Sequence, residues 1–82
     1  MMTVDYVLEA ATEVFRDIFD DESLVITEAT VADDIEDWDS LEHINLVLAL
    51  EQRFGIKFTM DEVIGMKNVG DMVKLVMERG GV

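Results

Sequence analysis

The chain of 82 residues carries 19 acidic against 6 basic side chains, has neither cysteine nor proline, and is half apolar. That length suits a single domain spanning residues 1–82, and the apolar half is enough to bury a core. A formal charge of −13 disfavours nucleic acid and anionic membrane surfaces, and the missing cysteines exclude a disulfide frame, a thiolate metal site and a thiol nucleophile.

The first predicted helix runs from about Thr3 to Phe19. Val4, Val7, Leu8, Ala11, Phe15 and Ile18 recur at helical spacing, and Thr3 is the candidate N-cap. Asp20-Asp21-Glu22 stands badly against the negative end of a helix dipole, although the change of pattern still marks a stop there. Residues 20–38 form a long connection, in which Leu24, Val25, Ile26, Val31 and Ile35 are expected to pin the chain to the core. Loops of this length in a small domain are uncommon and tend to be functional. A second helix is expected from the N-cap Asp39 to about Arg53, with Glu42 completing an arrangement like a capping box and Gly55 marking the end. Thr59-Met60-Asp61-Glu62 opens a short third helix stopped by Gly65. Asn68 caps a fourth, with Val69, Met72, Val73 and Val76 on one face and Gly80-Gly81 at its end. Ile56 to Thr59 is read as a connector, with a short strand as the alternative. The pattern predicts an all-α bundle of three main helices and one minor one.

The acids are clustered. No Lys or Arg lies between Arg16 and Arg53, and that interval holds 12 of the 19 acids. Dispersed acids would serve solubility equally well, so the clustering favours a surface for basic partners over a merely solvated loop. No apolar run approaches the roughly 18 residues of a membrane span, and the N-terminus lacks the basic start of a signal peptide. A soluble, cytoplasmic monomer is expected.

The second helix carries the most information. With Ser40 at zero and about 100° per residue, Leu46, Val47, Leu50 and Phe54 form one stripe, while Leu41, Ile44 and Leu48 form another. The apolar arc spans about 220°, against the roughly 100° that one buried face needs. Ser40 and Glu51 lie between the stripes, so a group on Ser40 could turn toward the core or toward a partner. Ser40 also sits in the first helical turn, where free N–H groups favour an anion. Nothing nearby makes it a strong nucleophile.

Trp38-Asp39-Ser40-Leu41-Glu42-His43-Ile44-Asn45-Leu46-Val47-Leu48-Ala49-Leu50-Glu51, followed by Phe54-Gly55-Ile56, resembles the acyl carrier protein family. The resemblance extends over the whole chain: its length, acidity, long first loop, central helix, short third helix and closing helix. It implies a 4′-phosphopantetheine arm, donated by coenzyme A, on the hydroxyl of Ser40. The arm's thiol would hold acyl groups as thioesters, and the protein would be a carrier with no catalytic residues of its own. It further implies that Asp39 and Leu41 flank the arm, with Asp39 orienting the helix start, and that Leu41, Ile44, Leu48 and Glu51 face partners. Those partners would be a phosphopantetheinyl transferase and acyl ligases, ketosynthases or acyltransferases of fatty acid, polyketide or specialised lipid biosynthesis, with basic docking surfaces. Asn45, Gln52 and Arg53 stand where well-known fatty-acid carriers have acids, and the approach to the serine has no glycine. These departures point toward carriers for polyketides or modified lipids. The alternatives are a peptidyl or D-alanyl carrier, and an acidic interaction module without an arm.

Several residues have simpler readings. Trp38 is expected to anchor the loop over the helix start, and His43 to pack on the core side. A Ser40–His43 hydrolytic dyad lacks an orienting group and an oxyanion hole. A calcium loop starting at Asp33 would need Gly at its sixth position and Glu at its twelfth, but has Trp38 and Ile44, so no metal site is expected. Met60, Met66, Met72 and Met77 are read as core or, alternatively, as a deformable lining for an acyl chain.

Overall fold

The computed structural model describes residues 3–80, which form four α-helices and one turn of 3₁₀-helix. Helix α1 spans Val4–Ile18, α2 Ser40–Phe54, α3 Met60–Gly65 and α4 Val69–Gly80. Among the described residues there is no strand, so the Ile56–Thr59 segment is a connector.

Helix α1 packs against both α2 and α4. Phe15, Val7, Leu46, Leu50, Met72, Val69 and Val76 are fully buried at their meeting point. The α4 face predicted from spacing, Val69, Met72, Val73 and Val76, is the face that is buried. On α1 the buried set is Val7, Ala10, Ala11, Val14 and Phe15. Val4 and Ile18 lie at the margins because they end the helix.

The helix ends follow local chemistry. Thr3 accepts from the Tyr6 N–H at 3.1 Å, and Asp39 accepts from the Glu42 N–H at 2.8 Å. The Thr59–Glu62 capping box closes in both directions. At Asp39 only half of the box forms, because the Glu42 carboxylate accepts from the Asn45 amide instead. Helix α2 stops at Gly55, which takes the left-handed conformation with φ of 66°, and the Ile56 N–H then closes on the Glu51 carbonyl. The stop after α1 uses the same device without glycine. Asp20 has φ of 51°, and the Asp21 N–H reaches back to the Arg16 carbonyl. Aspartate tolerates this conformation better than most residues, which explains how an acidic triplet can end a helix.

The long connection is tied down by backbone bonds that side-chain patterning does not show. The Thr30 carbonyl accepts from the Val69 N–H at 2.9 Å, and the Glu28 carbonyl from the Gly70 N–H at 2.8 Å. Together with Asn68 Oδ1, which accepts from the Asp71 N–H, they satisfy the first donors of α4. The Arg16 Nε–H donates to the Leu24 carbonyl, fixing the loop's other end. Ile26 and Ile35 are buried, while Leu24 and Val31 are half-buried. Val25 corrects the sequence expectation: it is 73% exposed, because the extended chain turns alternate side chains outward.

Candidate functional site

The end of the loop, the start of α2, and α3 enclose an open cleft of about 500 Å³. Ser40 lies on its wall as the first residue of α2, exposed, directly after the cap Asp39. The Glu42 N–H is taken by Asp39, which leaves the N–H groups of Ser40 and Leu41 without helical acceptors at the positive end of the dipole.

The cleft's apolar walls come from three elements: Trp38 from the loop, Ile44 from α2, and Met60, Val63 and Ile64 from α3. Met66 also lines it, whereas Met72 is a core residue and Met77 lies on a separate groove with Val4 and Val73. Two of the four methionines thus reach the cleft. Ile64 and Lys67 belong to it as well, and the sequence reading did not single them out. The signal for Ile64 was its position beside the buried Val63 in a helix of 6 residues, too short for a periodic pattern to emerge.

Behind the cleft, Trp38 is buried. Its ring meets Phe15 edge-on with centroids 5.2 Å apart, lies 6.4 Å from Phe19, and stacks on His43 at 5.9 Å. The indole Nε1–H donates to His43 Nδ1 at 3.1 Å, and His43 Nε2 lies 3.0 Å from the Val63 carbonyl. An indole nitrogen can only donate. Nδ1 is therefore the acceptor, Nε2 carries the proton, and the imidazole is neutral in this arrangement. With both nitrogens engaged, His43 cannot serve Ser40 as a base, which removes the hydrolytic dyad. Among the described residues, no three His, Asp or Glu side chains are grouped to hold a metal ion.

The second stripe of α2 is unpartnered. Leu41 is 69% exposed, Leu48 50% and Ile44 41%, and Met60 and Ile64 extend this apolar surface onto α3. Glu51 differs from them. It is half-buried, and its Oε2 accepts from the Phe58 N–H at 2.8 Å, so its carboxylate fastens the connector to α2.

A family described as "Phosphopantetheine attachment site" matches residues 12–76. The chain belongs to the acyl carrier proteins. It is 35% identical over 79 residues to an acyl carrier protein of Petrotoga mobilis, covering 95% of this chain and 92% of that relative. It is also 30% identical over 80 residues to one from Rickettsia massiliae, covering 96% and 92%. A solution structure of the holo acyl carrier protein from Geobacter metallireducens superposes with a TM-score of 0.83 at 48% identity, covering 89% of this chain and 84% of that one. The all-helical fold is that of the family. This acyl carrier protein is a carrier and not an enzyme, bears a covalent 4′-phosphopantetheine arm, and works with a phosphopantetheinyl transferase and biosynthetic enzymes.

The site suits such an arm. An exposed hydroxyl stands where two free backbone N–H groups and the dipole favour a phosphodiester, by about 0.3–1 kcal/mol, and an apolar cleft opens beside it. No helix among the described residues is long and apolar enough to cross a membrane.

Proposed function

We propose that Ser40 is the attachment residue and that residues 1–82 act as a single monomeric carrier domain in the cytoplasm. The observation that carries this reading is the placement of an exposed serine on the first turn of a capped helix, at the wall of the apolar cleft. The arm supplies a thiol that holds acyl groups as thioesters. Asp39 fixes the helix start through the Glu42 N–H, and Leu41 follows Ser40 on the exposed side. Each methylene of cargo that leaves water for the cleft gains about 0.8 kcal/mol, so a partner that withdraws the chain must offer an apolar channel of its own.

Leu41, Ile44 and Leu48 form the contact surface for partner enzymes, with Glu36, Asp37 and Glu42 near the serine end attracting basic side chains. Toward the other end of α2 stand Gln52 and Arg53, and Arg53 pairs with Glu13 of α1 at 2.9 Å. This polarity supports partners whose cations concentrate around the arm: a transferase, then acyl ligases, ketosynthases or acyltransferases of polyketide or specialised lipid synthesis. Glu51 takes part mainly by holding the surface in shape. Intact mass spectrometry after incubation with coenzyme A and a broad-specificity phosphopantetheinyl transferase should show addition of one arm. Ser40→Ala should abolish that gain, and an arm retained on the alanine variant would overturn the assignment.

A further inference from the structure

The Trp38–His43–Val63 relay joins the three elements that wall the cleft. It has a chemical property that none of the three residues has alone. The two bonds demand opposite things of one ring: Nδ1 must accept from the indole, and Nε2 must donate to the Val63 carbonyl. Only the neutral imidazole protonated at Nε2 meets both demands. A proton added at Nδ1 sets an N–H against the indole N–H and breaks that bond, while Nε2–H remains able to donate to Val63. Histidine is the side chain whose charge ordinarily changes between about pH 5 and 8.

We propose that His43 is a positioning residue that latches Trp38, and with it the end of the long loop, against the cleft beside Ser40, and that protonation of its imidazole releases this loop-side latch while leaving α3 in place. Trp38 sits directly before the cap Asp39 and lines the cleft. Its release widens the cleft on the loop side, at the residues that lead into Ser40. The charged neighbours are few. Asp39 from the loop end and Lys67 from the α3–α4 connection share the cleft with His43. Glu42 adjoins it on α2 but bonds Asn45, and Glu62 adjoins Val63 on α3 but bonds Thr59 and Arg79. From α1 the neighbours around Trp38 are the uncharged Phe15 and Phe19. No carboxylate accepts from either imidazole nitrogen, since the indole and the Val63 carbonyl occupy both.

The effect on cargo depends on Ser40 carrying the arm, but the latch itself does not, so the test uses the full unmodified chain. The protein has one tryptophan and one histidine, so one indole N–H resonance and one pair of imidazole C–H resonances report the whole event. Between pH 8 and 5 the indole proton should shift upfield in a single one-proton step that coincides with the imidazole titration, and quenching of Trp38 by acrylamide should rise across the same step. The Ile64 amide, in the peptide that follows the Val63 carbonyl, should keep its protection from exchange. His43→Asn can place its carbonyl oxygen near the Nδ1 position, so it should retain a bonded indole resonance without the pH step. His43→Phe should lose both the bond and the step. An indole resonance unmoved by the imidazole titration would overturn the latch. So would the same step in His43→Phe, or one accompanied by loss of protection at Ile64.

Discussion

Glu51 provides a direct test of whether a side chain matters for its charge or for the bond it makes. Its carboxylate accepts from the Phe58 N–H at 2.8 Å in a partly buried position. A hydrogen bond to a charged acceptor contributes about 1.5–3 kcal/mol. Against this, an acid in the last turn of α2 opposes the helix dipole, at a cost of about 0.3–1 kcal/mol. Glu51→Ala loses the first term and recovers the second, for a net loss of about 0.5–2.7 kcal/mol. In a domain of this size that lowers Tm by roughly 2–20 °C. Glu51→Gln keeps an acceptor while also removing the dipole penalty, so it should stay within about 1 kcal/mol of the parent protein. Urea and thermal unfolding followed by circular dichroism measure both variants, and a shared slope in urea confirms that the same surface is exposed. The rate of arm addition by a transferase, measured below the melting range, separates the alternatives. If the charge acted on the partner, both variants would slow equally and both would melt with the parent. An alanine variant as stable as the parent would refute the clamp.

Asp20→Asn should raise stability by about 0.3–1 kcal/mol in low-salt urea unfolding, because it removes an acid from the α1 C-terminus and keeps a residue that accepts left-handed φ; the gain should shrink as salt is added. Gly70→Ala reverses the usual gain of alanine over glycine within a helix. A Cβ there would lie 3.0 Å from the Glu28 carbonyl oxygen and 3.1 Å from Asn68 Oδ1, so the loop bonds that cap α4 must shift, and a loss of about 1–3 kcal/mol is expected in urea unfolding. For Glu62, the Thr59 backbone N–H, followed by the Arg79 guanidinium, holds the carboxyl below its ordinary value of 4.5. The folded state therefore binds this proton less readily than the unfolded state. Its stabilisation is complete above the ordinary value and disappears as pH falls through the lower folded one. Glu62→Gln should flatten that acid limb, read as the urea midpoint between pH 6 and 3.

What could be read from the sequence was what repeats or caps. The α4 stripe, the Thr59–Glu62 box, the Asp39 cap and the Gly55 stop are each fixed by local chemistry, and each stands where the spacing put it. The double stripe of α2 likewise separated Leu46, Val47 and Leu50, which are buried, from Leu41, Ile44 and Leu48, which are exposed. What escaped depended on backbone atoms distant in sequence. The Glu28 and Thr30 carbonyls that cap α4 leave no residue-type signature, and Val25 reads as a core anchor until the direction of the extended chain is known. Glu51 was placed with the partner-facing residues on the strength of resemblance. Its bond to Phe58 depends on how the connector folds back beneath α2, and periodicity contains no information about that.

The charge distribution and the relay bear on the same few residues. Of the six Lys and Arg side chains, Arg53 pairs with Glu13, Arg79 pairs with Glu62, and Arg16 holds the Leu24 carbonyl. Three cations are thus engaged in holding elements together, and Lys67 is the cation that shares the cleft with Asp39 and Ser40. On the proposed function, a basic partner drawn to that end of the molecule would arrive over Asp39 and the first turn of α2. It would bring positive charge to within reach of Glu36 and Asp37 while displacing water from the exposed Leu41 and Ile44.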